Sequence, residues 1–227
     1  MTNTFDKNNV NKSIVNKNIV NKNIVNKNIV NKNIVNKNIV LCGVGGQGTV
    51  LASKLIAAAA MEKGLRVMSA ETIGMAQRGG NVFSNLRIGD SMHAPLLRSG
   101  QADVILGFEP GETVRMLHYL KPGGTVITNC RPVKSTTATL TGSSYDGSEM
   151  IAYLRENLAA DKLLVVDGQE AIDALGSPRV LNMVLLGAAI RTGQIGLTEE
   201  DIKNAMGRLI KPAFMELNLK AFDYARL

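Results

Sequence analysis

Tryptophan is absent from the 227 residues, aromatic side chains make up only 4%, and cysteine occurs twice, at Cys42 and Cys130. Two thiols cannot build a disulfide framework, nor can they hold an iron–sulfur cluster alone, because such clusters as a rule need four thiolates. The scarcity of aromatics removes the stacking platforms that single-stranded nucleic acids use. The longest apolar runs, residues 55–61 and 183–190, fall far short of the roughly 18–20 residues that span a bilayer. No basic segment followed by an apolar stretch and a cleavage site opens the chain. These absences predict a cytoplasmic protein in a reducing compartment, with no membrane partner.

The net charge of +7 does not belong to the body of the chain. Residues 1–40 carry seven Lys against Asp6, whereas residues 41–227 carry 19 basic and 18 acidic groups. A nucleic-acid groove needs clustered charge on the domain itself, so no nucleic-acid partner is expected. The charged tail is a repeat: Asn11-Lys12-Ser13-Ile14-Val15, then five copies of Asn-Lys-Asn-Ile-Val ending at Val40. A period of five matches neither the helix nor the strand, so no face collects the Ile-Val pairs. Residues 1–36 are therefore expected to be a disordered, low-complexity extension, and residues 37–227 the folded domain. The last copy runs directly into Leu41-Cys42-Gly43, which suggests that the start of the first strand was duplicated in tandem.

Apolar runs then alternate with helical stretches. Strands are predicted at residues 39–42, 66–70, 82–88, 104–108, 125–128 and 163–166, with residues 121–124 (Lys-Pro-Gly-Gly) as a turn. Helices are predicted at 49–63, 112–120, 147–157, 178–192, 198–210 and 212–224. Thr198 and Asp201 have the spacing of a capping box. This order implies an α/β fold: a mostly parallel, Rossmann-like sheet covered by helices on both faces, with a helical C-terminal third. Ligands of such sheets lie at the carboxyl ends of the strands.

Two strand ends stand out. Gly43-Val44-Gly45-Gly46-Gln47-Gly48 follows a strand and opens a helix, the context in which G-x-G-x-x-G lets backbone N–H groups approach an anion. Glu71, 23 residues after Gly48, stands where a ribose-binding acid would. On this pattern a nucleotide site and a purely structural glycine turn are both open. The second segment runs from Glu71 to Gly80, ETIGMAQRGG, in which Arg78 offers a planar fork for a carboxylate or phosphate and Gly79 and Gly80 leave its approach clear. Glu109 reads as a helix cap, Cys42 as a buried small apolar residue, and His93 and His118 as surface residues. The sequence carries no Cys quartet, nucleophile elbow, paired-carboxylate motif or Lys-Ser/Thr phosphate loop, so neither a catalytic residue nor a metal ligand is assigned to this chain.

Together, GVGGQG and MAQRGG resemble the γ-type subunit or domain of the 2-oxoacid:ferredoxin oxidoreductases, and most of all the small (β) subunit of the indolepyruvate enzymes. The resemblance extends through Arg87-Ile88-Gly89, Phe108-Glu109-Pro110 and residues 123–129. It implies a subunit that binds no cofactor alone and works with a large partner carrying thiamine diphosphate and [4Fe–4S] clusters. The complex would decarboxylate indolepyruvate and other aryl pyruvates in an anaerobic cytoplasm, with coenzyme A as acyl acceptor and ferredoxin as electron acceptor. Gly43, Gly45, Gly46, Gln47, Gly48, Glu71, Gln77, Arg78, Gly79 and Gly80 would then face the partner's active site or coenzyme A. A sister enzyme acting on pyruvate, 2-oxoisovalerate or 2-oxoglutarate, or a stand-alone NAD(P)-binding oxidoreductase, are the competing readings.

Overall fold

The computed structural model describes residues 36–71, 80–90, 92–133 and 145–224. Of the predicted disordered extension, residues 1–35 lie outside the described residues, as do Gln77, Arg78 and Gly79. Six strands, β1 (Lys37–Val44), β2 (Val67–Glu71), β3 (Asn81–Ile88), β4 (Ala102–Gly107), β5 (Leu120–Asn129) and β6 (Leu163–Val166), form one sheet in the order β2-β3-β1-β4-β5-β6. β1, β4, β5 and β6 pair in parallel, whereas β3 runs antiparallel to both its neighbours. The sheet is thus mostly parallel, as the alternation of strands and helices predicts.

Seven helices are described: α1 (Thr49–Glu62), α2 (Pro110–Met116), α3 (Ser148–Asn157), α4 (Gly168–Leu175), α5 (Leu181–Arg191), α6 (Glu199–Leu209) and α7 (Pro212–Tyr224). One face of the sheet, with Ile39, Leu41, Leu86, Val104, Leu106 and Ile127, packs into the larger core against α1 and the C-terminal helices. The opposite face, with Val40, Cys42, Ile105 and Val126, forms a smaller core with Leu97, Met116 and Leu117. Strands buried on both faces have no polar side to show, and for that reason β1 and β4 read as continuous apolar runs. The central helix, α5, is buried at every position except Arg191.

Four elements differ from the sequence prediction. The helix expected at 112–120 ends at Met116, followed by a single 3-10 turn, Leu117–Tyr119, and Leu120 already belongs to β5. Residues 168–175 form α4, with Asp167 as its N-cap and Gly176 in the left-handed conformation closing it. Residues 121–124 are a bulge within β5 instead of a turn before it: Ala102 pairs with Leu120 and Val104 with Thr125, and Gly123 takes φ 73° to make room. The helix expected from residue 178 begins as a single 3-10 turn, Pro178–Val180, before α5. The Thr198–Asp201 capping box forms in full, each side chain accepting from the other's backbone N–H, at 3.2 and 2.8 Å.

β1 begins inside the last pentad. Asn38 donates its backbone N–H to Asp103 (2.7 Å) and its side-chain amide to the Gln101 carbonyl (3.0 Å), and it accepts from Arg87 Nε (3.0 Å). Ile39 and Val40 are fully buried on opposite faces. Removal of residues 1–35 is therefore expected to leave the melting temperature unchanged. Removal of residues 1–38 deletes these three bonds, the one from Asp90 N–H to Asn36 (3.2 Å) and the first two pairs of the β1–β3 ladder, and should cost at least about 2 kcal/mol, at about 1 kcal/mol for a typical net bond with partial compensation by water. Equal melting temperatures for the two truncations would contradict this placement of the strand.

Candidate functional site

The glycine loop joins β1 to α1 at the carboxyl end of the sheet, and each of its residues has a distinct task. A β-carbon at Gly43 would lie 2.6 Å from Gln47 Oε1 and 2.9 Å from Phe108 Cβ, so no side chain fits there. Gly46 adopts φ 102° with open space above it, a conformation that side-chain-bearing residues rarely take. Gly48 combines φ 84° with close packing, since a β-carbon there would lie 2.5 Å from Asn182 Nδ2 at the start of α5. Gln47 braces the loop from within: its Oε1 accepts from Val44 N–H (2.7 Å), and its Nε2 donates to the Phe108 carbonyl at the end of β4 (2.9 Å). Both ends of the Gln47 amide are thus engaged inside the protein.

The two motifs singled out in the sequence meet. Gly45 N–H donates to the Gly80 carbonyl at 2.8 Å, so the glycine loop and the end of the second motif form one surface. Glu71 is placed elsewhere. It ends β2, and β3 stands between β2 and β1. At about 4.8 Å per strand, that puts Glu71 two positions, or about 10 Å, from the strand that carries the loop. In a dinucleotide fold the acid ends the strand adjacent to the glycine-bearing one, and the inserted β3 removes that adjacency.

Farther along the same edge, polar side chains tie strand ends together. Asn129, buried at the end of β5, donates to the carbonyls of Phe108 (3.3 Å) and Arg131 (2.9 Å) and accepts from Gly168 N–H (3.3 Å). Glu109 caps α2, accepting from Glu112 N–H (2.8 Å), and its second oxygen accepts from the Tyr145 hydroxyl (2.7 Å). Burial, then the hydrogen bond to Glu109, pushes the Tyr145 phenol well above its ordinary range. Glu112, beside it, is also raised by burial, opposed by Arg115. Asp167 is held below the usual carboxylate range, chiefly by Arg131, which bonds it through two nitrogens at 3.1 and 2.7 Å.

Burial raises the pKa of both thiols. Cys42 is fully buried, and burial drives its pKa far above the thiol range. Cys130 is raised by burial and by the charge of Asp167. Among the described residues no three His, Cys, Asp or Glu side chains come together to hold a metal ion. His93 and His118 are exposed.

What the sequence did not reveal is a cavity of about 840 Å³ beside the loop. Gly45–Gly48 and Leu51 form one wall; Arg179 and Asn182 close the end at α5, and Lys211 and Phe214 come from the α6–α7 corner. Arg179 and Lys211 escape a sequence reading because exposed cations are common on any surface, and the two are brought together only by the packing of the C-terminal helices. No helix among the described residues is long and apolar enough to cross a membrane.

The family described as pyruvate ferredoxin/flavodoxin oxidoreductase matches residues 38–227. Indolepyruvate oxidoreductase subunit IorB of Pyrococcus horikoshii is 37% identical over 184 residues, 81% of this chain and 91% of that protein. The pyruvate/ketoisovalerate oxidoreductases common subunit gamma of Thermococcus kodakarensis is 30% identical over 187 residues, 81% of this chain and 91% of that protein. Among solved structures, the γ subunit of a keto/oxoacid ferredoxin oxidoreductase from Geobacter sulfurreducens superposes with a TM-score of 0.58 at 24% identity, over 83% of this chain and 95% of that one.

Proposed function

The chain belongs to the pyruvate ferredoxin/flavodoxin oxidoreductase family as a γ-type, IorB-like subunit, and from that membership we propose that it is the small subunit of an indolepyruvate:ferredoxin oxidoreductase. The observation that carries the substrate assignment is the higher identity to the indolepyruvate-named relative than to the pyruvate/ketoisovalerate γ subunit over the same share of the chain. Residues 37–227 perform this role, and residues 1–36 stand outside it. The complex works in the cytoplasm on aryl pyruvates, passing the acyl group to coenzyme A and the electrons to ferredoxin.

The chemistry resides in the large partner subunit, where thiamine diphosphate supplies the carbanion equivalent and [4Fe–4S] clusters carry single electrons. The present chain is assigned no acid, base or thiolate in the reaction; its two cysteines fall short of the four that a cluster as a rule needs. Its contribution is a shaped surface. The loop from Gly43 to Gly48, fixed by Gln47 and joined to Gly80, presents the N-terminus of α1 and the open space over Gly46 to the partner's active site. That edge orients the acyl acceptor and excludes water, and the role assigned to Arg78, from its sequence motif, is pairing with a phosphate or carboxylate from coenzyme A or from the partner.

Steady-state kinetics of the reconstituted two-subunit enzyme, followed by viologen-dye reduction, test the assignment. Indolepyruvate should exceed pyruvate in kcat/KM by at least about tenfold, the scale on which a site shaped for a large side chain discriminates. The reverse preference would make the chain a subunit of a pyruvate or branched-chain enzyme. Tight binding of NADH to the chain alone would support the stand-alone reading, against which the position of Glu71 already speaks.

A further inference from the structure

We propose that the cavity between the glycine loop and α7 seats an apolar segment of the large partner subunit flanked by carboxylates, with Phe214 as the central contact. The proposal rests on the reading that such a partner exists and goes on to say where it docks. Three of the seven large apolar side chains exposed among the described residues line this one cavity: Leu209 (46% exposed), Phe214 (51%) and Val133 (38%). Val133 follows β5, whereas Leu209 and Phe214 flank the α6–α7 corner about 80 residues later, so their meeting is a product of the fold. Apolar side chains gathered on a surface in this way mark a protein contact, and an aromatic at the centre of such a patch is the usual anchor. A small-molecule pocket, by contrast, keeps its apolar walls inside and encloses most of its ligand.

Charge selects the occupant. Arg179 and Lys211 line the cavity, no carboxylate among the described residues does, and neither cation forms an ion pair with a described residue. The second large groove, along β6, has the opposite character, with Asp167, Glu170, Glu216 and Asp223 against Lys220. An acid-flanked segment suits the first and is repelled by the second. Because the loop itself forms one wall, a segment seated here lies against Gly46 and brings the partner to the glycine loop.

The test uses the co-expressed complex, with assembly read by analytical ultracentrifugation and the fold of each variant by circular dichroism. Phe214→Asp and the double variant Arg179→Glu, Lys211→Glu should each weaken assembly by at least about tenfold while the chain melts as wild type does. Glu216→Lys, in the other groove, should assemble normally. Wild-type assembly by both cavity variants would overturn the proposal. Normal assembly with a raised KM for coenzyme A would also overturn it, making the cavity a coenzyme site. If the wild-type chain itself finds no large partner, the subunit reading fails first, an outcome distinct from a docking failure.

Discussion

The variant Gly187→Ala is expected to melt about 4–8 °C below the wild-type protein. Gly187 lies in α5 where α7 crosses it, and a β-carbon there would stand 2.1 Å from the Phe222 carbonyl oxygen and 3.0 Å from its carbon. These are backbone atoms, so no rotamer change relieves the clash, and the two helices must separate. Separation also strains the bond from Arg191 Nη1 to the same carbonyl (3.0 Å) and the ion pairs that surround it, Arg191–Glu199 at 3.0 Å and Lys203–Asp223 at 2.7 Å. Overpacking of this kind costs about 3 kcal/mol, and the better helix propensity of alanine returns about 1 kcal/mol. The net of about 2 kcal/mol gives the stated shift at about 2–4 °C per kcal/mol for a domain of this size. A thermal melt decides it, and an unchanged or raised melting temperature would mean that α5 and α7 do not approach as described.

The second large effect is expected at Gln47, where it separates a brace from a ligand contact. Gln47→Leu keeps the bulk but leaves Val44 N–H without a partner, at about 1–3 kcal/mol, and leaves the Phe108 carbonyl only the longer bond from Asn129 (3.3 Å), at about 1 kcal/mol more. The loss should be about 2–4 kcal/mol in denaturant unfolding. Gln47→Glu keeps an acceptor for Val44 but turns an oxygen toward the Phe108 carbonyl, so it too should destabilise. In both variants the loop loses its fixed shape, and activity of the assembled enzyme should fall with stability. A variant of wild-type stability with only a raised KM would show that Gln47 serves a ligand and not the loop.

Much of this architecture was legible in the sequence because burial on both faces writes a strand as an unbroken apolar run, as in β1 and β4. The Thr198–Asp201 cap and the helix-capping role of Glu109 were legible for a similar reason, since both are local and depend on residues three apart. Helix α4 escaped because it is a single short amphipathic piece behind Gly168, with only Ala171, Ile172 and Leu175 to mark its inner face. The direction of β3 escaped as well. Alternation identifies a strand but says neither which way it runs nor where it lies in the sheet, and the insertion of β3 between β2 and β1 moved Glu71 away from the loop.

The glycine loop could be read from its spacing, whereas the reasons its glycines cannot be replaced could not. Asn182, Phe108 and Gly80, which crowd or tether the loop, lie from 32 to 134 residues beyond it and meet it only in the folded chain. The same holds for the cavity, whose cations and exposed apolar side chains look like ordinary surface until the C-terminal helices bring them together.

The most direct test of the account is anaerobic reconstitution from separately purified subunits. Coenzyme A-dependent dye reduction by indolepyruvate would be measured for this chain alone, for the large partner alone, and for the two combined. The account predicts no iron, no thiamine and no activity in this chain alone, and turnover that appears on mixing and saturates at a fixed stoichiometry. Full activity in the large partner without this chain would contradict it.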